Sequence, residues 1–256
     1  MLNNNTISKL HEMKMGVMAD AFQKQLTDNA VAGLSFEERV GLMVDAEWTS
    51  RKNNRLTRLI RNAGFSDPAA CVEDIEYHSD RELDKALITR LSTCNFVNEY
   101  HNVIILGATG GGKSYIANAL GITAARNFHT VRYIRLPELL GELAIARSEG
   151  KYRKAMNHLR QVKLLILDEW LLYHLKEAEA RDLLEIAESR YKKASTIFCS
   201  QHDIGDWHEK IGESTIGDSI LDRIVHDSYH IVIASAREDS VSMRQRKGLK
   251  AKQEIV

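Results

Sequence analysis

The sequence predicts an α/β fold, in which a five-stranded parallel sheet covered by helices follows a small all-α N-terminal domain. Apolar residues in the first 65 or so positions follow a helical period, and no strand-like run interrupts them. Beyond residue 70, five short apolar runs alternate with helical stretches. A glycine-rich motif stands directly after the first of these runs. We therefore expect two domains, residues 1–68 and 69–256.

Helical spacing is clearest in the second half of the N-terminal domain. Phe36, Val40, Val44 and Trp48 recur at every fourth position. Residues 35–38, Ser-Phe-Glu-Glu, form a capping box in front of this stripe, which predicts that a helix begins there. Pro68 follows the helical region and marks the expected domain boundary.

The five predicted strands are "NVIIL", "VRYIRL", "KLLILD", "STIFCS" and "YHIVI". Such continuous apolar runs are typical of parallel strands whose two faces are both covered by helices. Pro137 fits the first turn of the helix after the second strand. Residues 79–82, Ser-Asp-Arg-Glu, resemble a second capping box, so we expect a short helix to open there.

The composition is that of a soluble globular protein. The chain has 256 residues, with 35 basic and 35 acidic side chains. No apolar stretch approaches the roughly 20 residues that span a bilayer, and the first residues lack a signal-peptide core. Three widely separated cysteines predict no disulfide framework, and a cytoplasmic location is expected. Because the net charge is zero, any nucleic-acid surface must come from local clustering.

Residues 107–114, "GATGGGKS", match the phosphate-binding pattern G-x-x-x-x-G-K-[ST] between a predicted strand and a predicted helix. Glycines allow backbone N–H groups to surround phosphate, the lysine reaches the β- and γ-phosphates, and the serine hydroxyl ligates Mg²⁺. The alternative is a glycine-rich turn with no ligand. The candidate nucleotide-binding residues are Gly107, Ala108, Thr109, Gly110, Gly111, Gly112, Lys113, Ser114 and Tyr115.

The run "LLILDEW" predicts a buried strand that ends in two carboxylates. Asp168 is the candidate magnesium-side carboxylate, and Glu169 is the candidate base that activates water. The alternative is an acidic pair that caps the next turn. Adjacent acids favour hydrolysis, and the absence of an N-K-x-D stretch favours ATP over GTP. The expected cofactors are ATP and Mg²⁺.

A basic stripe precedes the α/β region. On a helix, the segment "SRKNNRLTRLIRNAG" places cations on one face and leucines on the other, without any acidic residue. This pattern favours an anionic partner, although a solvated charged face is the alternative. Candidate DNA-binding residues are Arg51, Lys52, Arg55, Arg58 and Arg61, with a second cluster at Lys151, Arg153 and Lys154. We expect backbone contacts and low sequence specificity.

Several segments together resemble the AAA+ ATPases of the DnaA/DnaC clade. They are the P-loop, "LLILDEW", "TIFCSQ" and "DSILDRIVHDSYHI". "VRYIRLPELLGELAIARSEGKY" and "SVSMRQRK" further resemble the IstB family, the helper ATPases of bacterial insertion sequences that act with a transposase of the IstA type. The similarity covers nearly the whole chain.

The resemblance implies roles for three further residues. Gln201 matches sensor 1, which contacts the attacking water or the γ-phosphate, and Arg223 matches an arginine finger offered to a neighbouring subunit's ATP. Arg244 matches either a second phosphate sensor or a DNA contact. The sequence departs from the family pattern at Trp170, where a glycine is usual, and at Ser114, where threonine is more common.

The resulting functional hypothesis is an ATP-dependent AAA+ regulator that oligomerises on double-stranded DNA and activates a partner transposase. A replicative helicase loader of the DnaC type is the first alternative. A stand-alone P-loop kinase or other phosphotransferase is the second. No membrane partner is expected.

Overall fold

A computed structural model describes residues 2–31, 33–212, 214–233 and Met243. The chain divides into two compact units, Met1–Arg58 and Leu59–Val256, so the division lies earlier than the boundary expected near residue 68. In the described residues no helix is both long and apolar enough to cross a membrane.

The first unit is helical. Its elements are α1 (Leu2–Glu12), α2 (Gly16–Thr27), a 3-10 turn (Asn29–Val31) and the long helix α3 (Phe36–Ala63). The predicted capping box is confirmed: the Ser35 hydroxyl accepts the Glu38 N–H, and the Glu38 carboxylate accepts the Ser35 N–H. The four-residue stripe is helical as expected, but Phe36, Val44 and Trp48 are exposed to solvent.

The end of α3 belongs to the second unit. Ala63 is buried in the core of that unit, and Leu59 and Ile60 pack against it. The apolar side of this last part of α3 is therefore part of the α/β domain.

The second unit is a sheet covered by helices on both faces. Its strands are β1 (Asn102–Gly107), β2 (Val131–Arg135), β3 (Leu164–Trp170), β4 (Ser195–Ser200) and β5 (Ser228–Ile233). Its further helices are α4 (Lys85–Ser92), α5 (Asn95–Asn98), α6 (Lys113–Arg126), α7 (Leu136–Ser148), α8 (Tyr152–Gln161), α9 (Glu177–Arg190), α10 (Ile204–Ile211) and α11 (Ser214–Val225). All five predicted strands are confirmed.

The strand order is β2-β3-β4-β1-β5, and every neighbouring pair is parallel. Alternate residues of β1 enter opposite cores: Val103 and Ile105 pack in one, and Ile104 and Leu106 in the other. This two-residue alternation explains why the strands are continuously apolar in sequence. The order places β1 and β3 on either side of β4, so their carboxyl ends meet at one edge of the sheet.

Two local expectations had different outcomes. Pro137 lies in the first turn of α7, as predicted. The expected helix at residues 79–82 is wrong, because these residues form a turn and the helix begins at Lys85, with the Asp84 carboxylate accepting the Leu87 N–H. Glu82 has a φ of 48°, in the left-handed region, which the first turn of an α-helix does not allow.

Candidate nucleotide site

A cleft at the carboxyl edge of the sheet gathers residues from three neighbouring strands. The glycine-rich loop follows β1, the acidic pair ends β3, and Gln201 follows β4. Residues that line the cleft are Thr109, Gly110, Gly112, Lys113, Ser114, Tyr115, Asp168, Glu169, Cys199, Gln201 and Met243. Segments that lie far apart in sequence thus meet in one cavity.

The loop can follow its path only with glycine at two positions. A Cβ on Gly107 would lie 2.8 Å from the carbonyl oxygen of Ile233, at the end of β5. Gly112 has a φ of 96°, and a Cβ there would lie 2.8 Å from Nη2 of Arg81. A side chain at either position would displace the neighbouring segment or strain the backbone.

The loop leads into a helix N-terminus suited to anions. In the described part of the chain, no side chain caps the start of α6, so its first N–H groups point towards the loop. The Lys113 side chain is 8% exposed, and its ammonium donates to the carbonyls of Gly107 at 2.6 Å and Ala108 at 2.9 Å. A buried cation and a helix N-terminus at one loop are the groups that phosphate-binding loops use.

Asp168 is held on both carboxylate oxygens. Oδ1 accepts the N–H of Glu169 at 2.8 Å, and Oδ2 accepts the Tyr133 hydroxyl at 2.6 Å. Burial and the hydrogen bond to Asp168 raise the pKa of Tyr133, so its hydroxyl remains a donor at neutral pH. Asp168 and the hydroxyl of Ser114 line the same cleft, and such oxygen donors fit Mg²⁺.

Glu169 occupies an unusual backbone conformation. Its φ is 55°, and Leu171, two residues later, has a φ of 51°. Between them, Trp170 is 1% exposed and packs edge-on against Phe198 and Trp207, with ring centroids 4.6 and 5.8 Å away. Trp170 is thus an interior anchor for the strand end.

The carboxylate of Glu169 remains accessible. Its side chain is 35% exposed, and Oε1 lies 3.9 Å from Nη1 of Arg135. Gln201 is also exposed, and its Oε1 accepts the Thr109 hydroxyl at 2.6 Å, which ties the end of β4 to the glycine-rich loop.

The predicted Arg223 is not among the residues that line this cleft. Arg223 lies on α11, where its guanidinium donates to the Ser219 carbonyl at 2.6 Å and to Glu188 Oε1 at 3.3 Å. Its ion-pair partner is Glu188 and not Asp222 or Asp227, which lie near it in the sequence. Arg244 lies outside the described residues.

The predicted DNA-binding residues are all exposed. Arg51, Lys52, Arg55, Arg58 and Arg61 lie on α3, Arg153 and Lys154 on α8, and Lys151 directly before α8. Arg51 has a structural partner, because its Nε donates to Glu47 at 2.6 Å and its Nη2 to the Lys14 carbonyl at 2.7 Å. The ammonium of Lys52 lies 4.0 Å from the centre of the Trp48 ring.

Sequence reasoning missed four residues at or beside the cleft. Arg81 donates to the Gly111 carbonyl at 2.8 Å, and Met243 donates its N–H to the Gly110 carbonyl at 3.0 Å. Tyr133 contacts Asp168, and Cys199 lines the cleft floor with a pKa raised by burial and by Asp168. Only Tyr133 left a trace in the sequence, as a polar aromatic in the middle of the predicted strand "VRYIRL".

The loop between β1 and α6, the acidic end of β3 and the strand order together define a P-loop nucleoside triphosphate-binding protein with an AAA+ fold. The chain belongs to the family of IstB-like ATP binding proteins, whose model matches residues 8–251. The resemblance inferred from the sequence is therefore confirmed.

Two relatives illustrate this membership. A putative insertion sequence ATP-binding protein of Sinorhizobium fredii is 39% identical over 247 residues, which cover 96% of this chain and 99% of that protein. The insertion sequence IS1162 putative ATP-binding protein of Pseudomonas fluorescens is 39% identical over 201 residues, covering 78% of this chain and 87% of that one.

Solved structures show the same fold at lower identity. AMPPCP-bound DnaA from Aquifex aeolicus aligns with a TM-score of 0.56 and 17% identity, covering 75% of this chain and 57% of DnaA. DnaI aligns with a TM-score of 0.55 and 20% identity, covering 70% of this chain and 94% of DnaI.

Proposed function

We propose that this chain is an ATP-hydrolysing, DNA-binding regulator of transposition. ATP assembles copies of the chain on duplex DNA, the assembly activates the transposase of an insertion sequence, and hydrolysis disassembles or remodels it. The observation that carries the proposal is the cleft, where the P-loop, both carboxylates and Gln201 meet in a chain closely similar to insertion sequence ATP-binding proteins.

Hydrolysis follows from the roles of the cleft residues. Phosphate oxygens replace the loop carbonyls as acceptors of the Lys113 ammonium, and the α6 amides bind the same phosphates. Ser114 and Asp168 would hold Mg²⁺, which would supply positive charge to the phosphates. Glu169 accepts a proton from the attacking water, and Gln201 orients that water beside the loop.

A pocket on the other side of the loop accepts the base. It is lined mainly by apolar atoms, with Arg81 closing one wall against Gly111. Its further lining residues include Asp74, Ile75, Glu76, Tyr115 and Ile116. Carboxylate and backbone acceptors beside an apolar slot suit the exocyclic amine and flat ring of adenine.

The second half of α3 binds the DNA backbone in this proposal. Five exposed cations follow one another along it without an acidic neighbour in the sequence. We assign the DNA contact to these exposed cations of α3, with Arg153 and Lys154 of α8 as a second contact.

One pair of measurements separates the candidate functions. ATPase rates are measured with no DNA, duplex DNA and single-stranded DNA, and particles are imaged on duplex with a non-hydrolysable ATP analogue. A transposition regulator gives duplex-stimulated hydrolysis and oligomers on duplex. Stimulation by single strands together with binding to a hexameric helicase indicates a loader, and DNA-independent phosphate transfer by a monomer indicates a kinase. Monomeric particles on duplex with the analogue would overturn the proposal.

Charge reversal tests the DNA surface. The triple variant Arg55→Glu, Arg58→Glu, Arg61→Glu should bind duplex more weakly. Its plot of log affinity against log salt should be flatter by about 1 for each phosphate that the variant no longer neutralises. The matched control reverses Arg181, Lys192 and Lys193, three exposed cations of the α/β unit. An unchanged salt slope in the α3 variant would place the DNA contact elsewhere.

A further inference from the structure

A chain of hydrogen bonds connects the two residues that are expected to hold magnesium. It starts at Ser114, whose backbone carbonyl accepts Nδ2 of Asn118 at 2.6 Å. The same Nδ2 donates to the hydroxyl of Ser66 at 2.9 Å. Asn118 is 1% exposed, so its amide is held inside the domain, one turn along α6 from Ser114.

The chain continues through two hydroxyls. Ser66 is a hydrogen-bond partner of the Tyr133 hydroxyl and lowers its pKa, so we assign Ser66 as the donor of this bond. The Tyr133 hydroxyl in turn donates to Oδ2 of Asp168 at 2.6 Å. The direction of the chain is fixed at both ends, because the Asn118 amide nitrogen only donates and an ionised Asp168 only accepts. Each hydroxyl thus accepts one hydrogen bond and donates another, an arrangement in which successive bonds strengthen one another.

Backbone packing fixes the middle of this chain. A Cβ on Gly121 of α6 would lie 2.7 Å from the ring of Phe65, and one on Gly64 would lie 3.5 Å from the Tyr133 carbonyl. The segment directly after α3 is therefore packed closely between α6 and β2, which places the Ser66 hydroxyl between Asn118 and Tyr133.

We propose that Tyr133 is a positioning residue that fixes the Asp168 carboxylate relative to Ser114, through Ser66 and Asn118. The inference rests on the proposed ATPase function. With the Glu169 N–H on one oxygen and the Tyr133 hydroxyl on the other, the carboxylate plane cannot rotate freely. Second-layer hydrogen bonds of this kind orient metal ligands and influence metal affinity.

Tyr133→Phe tests the proposal, because it keeps the ring and removes only the hydroxyl. Binding of a fluorescent ATP analogue is titrated in EDTA and over a series of Mg²⁺ concentrations, and ATPase rates are measured over the same series. The variant should bind nucleotide normally in EDTA but need on the order of 10-fold more Mg²⁺ for half-maximal binding and hydrolysis. Ser66→Ala should shift both midpoints in the same direction by less, because Tyr133 keeps its bond to Asp168.

The matched control is Tyr229→Phe, which removes a hydroxyl of β5 that accepts a hydrogen bond from Arg90 of α4. It should leave both midpoints unchanged. If Tyr133→Phe had the same Mg²⁺ midpoints as the wild type, the positioning role would be overturned. A loss of nucleotide binding in EDTA as large as the loss in Mg²⁺ would also overturn it. If Tyr133→Phe does not fold, an unshifted Ser66→Ala overturns it. A wild-type chain without nucleotide binding or hydrolysis would instead refute the proposed function itself.

Discussion

Glu169 is the residue whose chemistry can be isolated most cleanly from the structure around it. Its side chain is partly exposed, and among the ion pairs of the described residues it contacts only Arg135, at 3.9 Å. Its backbone N–H donates to Asp168. The backbone contribution survives any side-chain substitution that keeps the φ of 55°. A substitution can therefore remove the proposed base and leave Asp168, the proposed magnesium ligand, in place.

Glu169→Gln should retain nucleotide binding and lose hydrolysis. The amide has the shape of the carboxylate but cannot accept a proton, and a general base contributes roughly 10²–10⁴-fold to rate. Steady-state ATPase assays and titration with the fluorescent analogue measure the two effects separately. Normal turnover would refute the assignment of the base.

Two further variants serve as the negative and the neutral control for Glu169→Gln. Lys113→Ala should abolish nucleotide binding, because it removes the buried cation of the loop. Glu177→Gln, at an exposed carboxylate in the first turn of α9 that pairs with Arg181, should change neither binding nor rate.

Among the elements, the start of α2 is held by a charged pair of α3. Glu47 of α3 accepts the N–H of Met18 at 3.0 Å, in the first turn of α2, so it caps that helix from outside. Arg51, one turn further along α3, holds Glu47 and the Lys14 carbonyl just before α2. A carboxylate at a helix N-terminus stabilises it while ionised.

The contacts of Glu47 with Met18 and Arg51 predict that the stability of the first unit depends on pH. The hydrogen bonds from Arg51 and Met18 lower the pKa of Glu47 from its ordinary value of 4.5. The folded state therefore gains stability from Glu47 above pH 4.5, and loses it as the pH falls through the folded pKa. Glu47→Gln should unfold at lower denaturant concentration at neutral pH, and the difference from wild type should shrink below pH 4.5.

Far-UV circular dichroism during urea unfolding, repeated at several pH values, measures this difference. Asp45→Asn, at an exposed carboxylate inside α3 and away from its ends, is the matched control. A difference between wild type and Glu47→Gln that stays constant with pH would show that the carboxylate charge is not responsible.

The parts of the fold and of the site that local sequence patterns encode could be predicted from the sequence. The strands were predictable because both sheet faces are buried, and the P-loop and acidic pair because their spacing is local. The Asn118–Ser66–Tyr133 chain was not predictable, since its members come from three segments and only tertiary packing brings them together. The helix predicted to open at residues 79–82 is absent there, because Glu82 has a left-handed φ. The helix begins later, with Asp84 as its cap.

The position of Arg223 indicates which copy of the chain it can serve. The carbonyl of its neighbour Ile224 accepts Nδ2 of Asn102 at 3.4 Å, at the beginning of β1, whereas the P-loop follows Gly107 at the end of β1. A strand of this length spans roughly 17–20 Å, which is beyond the reach of an arginine side chain. Arg223 therefore cannot complete the cleft of its own chain, and a catalytic role requires a second copy.

Mixing two inactive variants tests that requirement. Arg223→Ala keeps a complete cleft but offers no guanidinium, while Glu169→Gln offers the guanidinium and retains the nucleotide binding that assembly needs. In equal mixture, random head-to-tail pairing makes about one quarter of the interfaces complete, so ATPase activity should reappear at about that fraction of the wild-type rate. Arg181→Ala, at an exposed arginine of α9, should be active alone. A mixture no more active than the sum of its components would mean that Arg223 does not act across subunits, and full activity of Arg223→Ala alone would remove it from the reaction altogether.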